Sequence, residues 1–336
     1  MLIRAALSHR ATSLSLRPLH AEHDLPAAQA LLASALPLDA AAPAVEEKLF
    51  AGNGVRPGQA IGAFSNGDLV GLVAQAGRFI KILTVHPRWR RQGIGTTLLQ
   101  AARTFLARHS AGPQENTKLR YGDHPGNYLS PGLDEREQAG AAFLQAQGFV
   151  EVGRNLNLRA PVTDNPSLRP EHIAQKQAAV AALGYVVRRA TAADVPALLA
   201  MVTSAFHRVW AYEVARALGS PLGGEAALHT ATLPEGPTVH IALSTAGDVV
   251  AFAAHDGNNR GMGWFGPTGA LPEHRGKGLG EVLLLHCLRD VADAYAVQPS
   301  CRPDAGVIAW VGPVEYYARA CGAAPDRRFV VYEEAA

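Results

Sequence analysis

The sequence predicts an α+β protein made of two tandem copies of one unit, and three observations lead there. The segment Val85-His86-Pro87-Arg88-Trp89-Arg90-Arg91-Gln92-Gly93-Ile94-Gly95 recurs 185 positions later as Ala270-Leu271-Pro272-Glu273-His274-Arg275-Gly276-Lys277-Gly278-Leu279-Gly280, with Pro, Arg and both glycines in step. Each copy follows an apolar, β-branched run and precedes a stretch with apolar residues at helical spacing. A chain of 336 residues, at about 100–200 per domain, has room for two cores.

The elements follow in the same order twice. In the first half, residues 15–19 read as a strand and 25–35 as an Ala/Leu-rich helix. Residues 59–64 and 68–76 flank Asn66-Gly67 and read as a hairpin. A strand over 79–85, a helix over 96–106, a helix over 138–147 and a strand over 149–158 complete it. In the second half the counterparts are 185–190, 194–206, a hairpin of 239–244 and 248–254 about Ala246-Gly247, then 263–270, 282–291, 314–321 and 327–332. Between the halves, 161–170 is rich in Pro, Asn, Asp and Ser, and 171–183 has the pattern of a short amphipathic helix. The expected division is 1–160, a linker at 161–183, and 184–336. Residues 111–133, mixing Gly, Pro, Asn and His, are the least regular stretch and the kind that often lines a site.

Charge and composition exclude several classes. With 31 basic and 29 acidic residues the formal net charge is +2, too little to grip a nucleic-acid backbone or an anionic membrane as a whole. Cys287, Cys301 and Cys321 show no CxxC spacing, which suits neither a zinc site nor a disulfide framework and points to a reducing, cytoplasmic setting. No apolar run approaches the ~20 residues of a membrane-spanning helix. Residues 1–21 carry three arginines and no acid, a transit-peptide-like start, read here as a ragged N-terminus leading into the first strand. His20-Ala21-Glu22-His23 lacks the HExxH spacing and reads as a solvated helix start, so no metal site is expected.

The repeated loop has a definite chemistry. A strand running into Arg-x-x-Gly-x-Gly at a helix start gathers unpaired N–H groups and the positive end of a helix dipole. Gly93, Gly95, Gly276, Gly278 and Gly280 let a phosphate approach the backbone, and Arg90, Arg91, Arg275 and Lys277 add charge, so a diphosphate fits best. A P-loop is excluded because Gly278, not Ser or Thr, follows Gly276-Lys277. A Rossmann loop lacks its third glycine, at Leu98 in one copy and at Glu281 in the other.

These residues resemble the GNAT superfamily of acyl-CoA-dependent N-acyltransferases, whose signature loop is Q/R-x-x-G-x-G/A. It is matched by Arg90-x-x-Gly93-x-Gly95 and Arg275-x-x-Gly278-x-Gly280. The element order is also similar to that family's, and the duplication resembles the tandem arrangement of mycothiol synthase. The resemblance implies an α/β sandwich in each half, a mixed central sheet flanked by helices. It implies acetyl-CoA as acyl donor, its pyrophosphate held by the backbone of Gln92 to Thr96 and of Lys277 to Glu281. Pantetheine would pair with Leu83 and Val85, or with Thr268 and Ala270, and the Val85 or Ala270 N–H would polarise the thioester carbonyl. An amine would attack directly, with a tyrosine of the last helix protonating the departing thiolate. The family pattern Tyr-x-x-x-Gly-Phe has its counterpart in Tyr317, one residue farther from Gly322, whereas the first half has Leu144. The expectation is an N-acetyltransferase for a primary amine of a small molecule or peptide, with the second half catalytic and Tyr317 as acid. Tyr121 or Tyr128 remain as candidates for the first half, and His255, Asp256 or a water chain for the base. The alternative is a non-catalytic acyl-CoA sensor or scaffold. An aminoacyl transferase using tRNA is disfavoured by the near-neutral charge.

Overall fold

The computed structural model describes residues 14–39, 44–50, 58–109, 117–219, 236–300 and 303–335. The expected reading of residues 1–13, and Cys301, lie outside them. The first half contains β1 (Leu14–Pro18), α1 (Ala21–Ala35), α2 (Val45–Phe50), β2 (Gly58–Ser65), β3 (Asp68–Ala76), β4 (Phe79–Val85), α3 (Ile94–His109), β5 (Arg120–Tyr121), β6 (Leu133–Asp134), α4 (Gln138–Ala146) and β7 (Phe149–Pro161). After α5 (Pro170–Ala181) come β8 (Val186–Arg189), α6 (Val195–Ala205), α7 (Arg208–Ala217), β9 (Val239–Leu243), β10 (Val249–His255), β11 (Trp264–Ala270), α8 (Leu279–Val297), β12 (Ala305–Ile308), α9 (Val314–Cys321) and β13 (Ala324–Glu334). The hairpin about Asn66-Gly67 forms as expected, with both residues at positive φ, 51° and 90°, the conformation a two-residue hairpin turn needs.

One sheet crosses the molecule in the order β1-β2-β3-β4-β5-β13-β7-β12-β11-β10-β9-β8. The order shows that the halves exchange their last strands. β13, from the end of the second half, lies against β5 and β6 of the first. β7, from the end of the first half, pairs with β12 of the second, Leu158 opposite Ile308 and Pro161 opposite Ala305. The exchanged strands then pair with each other from Phe149 opposite Glu334 to Arg159 opposite Ala324. Ion pairs fix β13 in place: Glu333 to Arg78 at 2.8 Å, Glu334 to Arg103 at 2.7 Å, and Arg327 to both Asp39 and Asp134 at 2.7 Å.

Helices cover both faces of each half-sheet, so each half is the three-layer sandwich expected. In the first half α1 and α2 bury Leu31, Leu32 and Val45 against Leu72 and Ile82, while α3 buries Leu98, Leu99 and Ala102 on the opposite face with Val73 and Ile80. In the second, α6 and α7 supply Leu198, Val202 and Val214 on one side, and α8 supplies Val282, Leu283 and Leu284 on the other. The first strand and first helix of each half are clasped alike. Arg17 makes a two-pronged pair with Asp24 at 2.7 Å, and the same carboxylate accepts the His20 N–H. Arg188 makes it with Asp194 at 2.7 and 2.8 Å, with the Thr191 N–H added.

Candidate active site

In each half the parallel pair at the centre of the sheet parts after two residue pairs. β4 and β5 are joined at Phe79–Arg120 and Ile80–Tyr121, and β11 and β12 at Trp264–Val307 and Phe265–Ile308. Beyond these pairs β4 and β11 each keep one unpaired edge. The His86 N–H donates to Val70 and the Leu271 N–H to Val250, both at 2.9 Å, on the paired side. Amides alternate along a strand, so Val85 and Leu83, and likewise Ala270 and Thr268, aim theirs into the parted gap.

The two loops that follow share one backbone conformation. Arg91 and Gly93 have φ of 64° and 81°, Gly276 and Gly278 73° and 83°. Arg90 Nε donates to the Val85 carbonyl at 3.1 Å and Arg275 Nε to the Ala270 carbonyl at 3.0 Å, so each arginine ties its loop back to its strand. A second bond, from Arg90 to the Ala35 carbonyl, adds α1 to the tie. α3 and α8 then start at Ile94 and Leu279, and their first-turn N–H groups, those of Gly95, Thr96, Gly280 and Glu281 included, have no acceptor within the helix. Arg91, Gln92, Gly93 and Thr96 are exposed, as are Arg275, Gly276, Lys277 and Gly278, so both N–H clusters open to solvent.

The surroundings of the loops differ. Next to Gly95 lies the Phe143 ring; next to Gly280 lies the Tyr316 hydroxyl. Lys277 donates to the Tyr185 hydroxyl at 2.9 Å, which also meets His274 Nδ1 at 2.8 Å. Lys176 of α5 pairs with Glu281 at 2.6 Å. The linker helix therefore flanks the second loop only. Tyr317 sits at the position of Leu144 in the first half, buried, with its ring edge-on to Phe265 and to Tyr316. Burial pushes its hydroxyl up to about 12, so it is protonated at neutral pH.

At the mouth of the β11–β12 gap lies a cavity of about 450 Å³, bounded by Gly266, Pro267 and Ala309. Its walls are aromatic: Trp210 of α7, Trp264 of β11, Trp310 after β12, and Tyr128, which reaches across from the first half and packs on Trp264 and Trp310 at 5.8 and 5.7 Å. Trp310 holds a φ of 51°, rare for a bulky residue, and its N–H donates to Asn157 Oδ1 at 3.0 Å. An exchanged strand thus fixes a cavity wall.

The polar side chains of the cavity include His207, Asn258, Glu213 and the phenol of Tyr128. Glu213 is 7% exposed, and burial raises its carboxyl to about 7 even though Lys48 and Arg216 pull the other way. These two cations belong to a buried cluster between the halves. Lys48 of α2 donates to Glu47, to Asn127 at 3.0 Å and to Asn258, and Arg216 meets Glu47 at 3.0 Å. Burial opposes an ionised Glu47, but Lys48 and Arg216 overcome it and bring it down to about 2. Burial in turn lowers Lys48 to about 8.

His255 and Asp256 stand elsewhere. They line a separate cavity of about 210 Å³ with Asp290. Asp290 Oδ2 meets His240 Nε2 at 2.8 Å and His255 Nε2 at 3.1 Å, and its other oxygen takes a bond from Arg189. Glu213 and the indoles are not marked in the sequence, because they are scattered over α7, β11 and the turn after β12 and meet only through the fold. The available signal was the clustering of three of the chain's four tryptophans in the second half.

Residues 56–151 match the acetyltransferase (GNAT) domain family. No curated protein matches the chain. Among solved structures, a tandem GNAT protein from the clavulanic acid biosynthesis pathway is 18% identical with a TM-score of 0.60, over 96% of this chain and 98% of that one. A GCN5-related N-acetyltransferase from Sphaerobacter thermophilus is 17% identical with a TM-score of 0.61, over 95% of each chain. The glucosamine N-acetyltransferase region of a fungal multi-domain β-N-acetylglucosaminidase is 17% identical with a TM-score of 0.67; the match covers 96% of this chain but only 38% of that one. At such identities the likeness is one of fold. No helix among the described residues is long and apolar enough to cross a membrane.

Proposed function

From the premise that this chain carries a GNAT acetyltransferase domain within two tandem copies of that fold, we propose that it transfers the acetyl group of acetyl-CoA to a primary amine of a small molecule or peptide. The units are 1–160 and 184–336, joined by 161–183, and the second is the catalyst. One observation carries the assignment: a cavity with a buried carboxylate, Glu213, lies at the mouth of the β11–β12 gap, where the free amides of Thr268 and Ala270 point.

Acetyl-CoA supplies an activated acyl group on a thiol of low basicity. The first-turn N–H groups of α8 and the left-handed backbone at Gly276 and Gly278 receive its diphosphate, and Thr268 and Ala270 align the pantetheine arm. The Ala270 N–H stabilises the carbonyl oxygen as negative charge grows on it. A substrate ammonium has a pKa near ~10 and must lose a proton before it attacks; Glu213, poised at about 7, takes that proton. The free amine attacks the carbonyl carbon and forms the carbon–nitrogen bond; as the carbon–sulfur bond breaks, Tyr317 gives its proton to the thiolate and is reprotonated by the second proton the nitrogen sheds. In the first half Leu144 occupies the position of Tyr317, so the Arg90–Gly95 loop, with Leu83 and Val85, holds acyl-CoA without turning it over.

The test is release of free thiol from acetyl-CoA across a panel of amines. Turnover that survives Gly93→Val and is lost in Gly278→Val and Tyr317→Phe supports the assignment. The opposite pattern reverses the halves, and acetyl-CoA binding with no thiol release for any amine leaves a sensor or scaffold.

A further inference from the structure

The walls of the cavity specify the body of the acceptor, an inference that rests on the reading of Glu213 and the β11–β12 gap as an acyl-transfer site. Three tryptophans and Tyr128 surround the space, and two of these indoles, Trp210 and Trp310, are 36% and 39% exposed despite the cost of wetting so much apolar surface. Trp310 is held in a left-handed conformation by Asn157, so the wall is fixed rather than left over from packing. Among the described residues that line the cavity there is no lysine or arginine to receive a carboxylate or phosphate, and the side chains able to receive hydroxyls are few: His207, Asn258, Glu213 and the phenol of Tyr128. Indole faces attract both flat apolar rings and ammonium groups. A volume of about 450 Å³ admits one ring-sized body beside the end of an acyl arm.

We propose that the acceptor is a small hydrophobic amine, an arylalkylamine in chemical class, with its ring between the indoles of Trp210, Trp264 and Trp310 and its ammonium on the carboxylate of Glu213. Sugars with many hydroxyls are excluded because their desolvated groups would find too few partners, and amino acids because their carboxylate would lie unpaired among the indoles.

The test separates binding from turnover. Without any acyl donor, the full-length protein is titrated with phenethylamine and tryptamine, and in parallel with glucosamine, lysine and 3-phenylpropionate, following tryptophan fluorescence and heat. Phenethylamine and tryptamine are expected to bind at least tenfold more tightly than the other three. Trp210→Ala and Glu213→Gln should each cost about tenfold or more, with melting temperatures checked so that a misfolded variant is not counted. Equal or tighter binding of glucosamine, lysine or the carboxylate overturns the proposal. So does undiminished arylalkylamine binding in folded Trp210→Ala protein. Arylalkylamine binding without thiol release from acetyl-CoA would sink the acyl-transfer reading, and with it the amine's role as acceptor, while the cavity's preference for arylalkylamines stands. Thiol release with glucosamine and not with arylalkylamines would do the reverse.

Discussion

Glu213 shows how burial makes a weak acid useful. At its ordinary pKa near 4 it would be a feeble base toward an ammonium; the loss of water lifts it to about 7, while Lys48 and Arg216 stop it rising further. The base acts deprotonated, so kcat/KM should climb as pH rises through about 7. Glu213→Gln should flatten that limb and lower kcat/KM by about a hundred- to ten-thousand-fold, read from pH–rate profiles of both proteins. At Gly278 the backbone has φ 83°, where an added Cβ is strained, so even Gly278→Ala should weaken acetyl-CoA binding. Calorimetric titration checks this against Thr104→Ala, an exposed position farther along α3 in the other half. The residues of this site were unequally legible. The two loops declared themselves through glycine spacing because local backbone conformation demands it. Glu213 did not, because its raised pKa comes from burial between the halves, against side chains such as Lys48 that are distant in sequence.

The clasp between the first strand and first helix recurs in both halves, which makes it a structural rather than a catalytic device. Asp24 is held down to about 2 by its bonds to Arg17 and the His20 N–H, so its stabilising effect is present above the usual carboxylate range and is lost as pH falls toward 2. Arg17 is nearly half exposed, which limits the charge contribution, yet the backbone bond remains. Asp24→Ala and Asp194→Ala should each cost about 1–2 kcal/mol in urea unfolding. A second device joins α8 to β9 and β10 through Asp290, His240 and His255. Burial disfavours a charged His255, but Asp256 and Asp290 outweigh it and raise its pKa to about 9 from 6.5. The stabilisation is complete below pH 6.5 and drains away as pH climbs through 9. Thermal melts should fall over that window in the natural protein and much less in His255→Gln. Most elements were readable from periodicity and turn residues. α2, β5, β6 and β12 were not legible because they are short and owe their form to packing, whereas α7, ten residues long with an apolar face, was legible and went unread.

At the scale of the whole molecule the exchanged strands govern behaviour. β7 and β13 read as plain strands in sequence, and nothing in an alternating pattern says which neighbour a strand will take; that choice is made by tertiary contacts such as Arg78–Glu333 and Arg103–Glu334. The duplication was therefore visible and the interlock was not. A chain nicked between residues 161 and 170 should remain one particle in gel filtration and melt in one transition, since each fragment holds a strand of the other's sheet. Two separate transitions would show that the halves are independent. The interlock also orders events during synthesis on the ribosome. The β4–β5 edge is made early, yet its next neighbour, β13, ends at Glu334, so the first half-sheet stays incomplete until almost the whole chain has emerged. Such long-range closure is slow and leaves an open edge meanwhile. The second half-sheet has its borrowed strand, β7, in hand before its own first strand is made. The half translated later is thus the one able to close first.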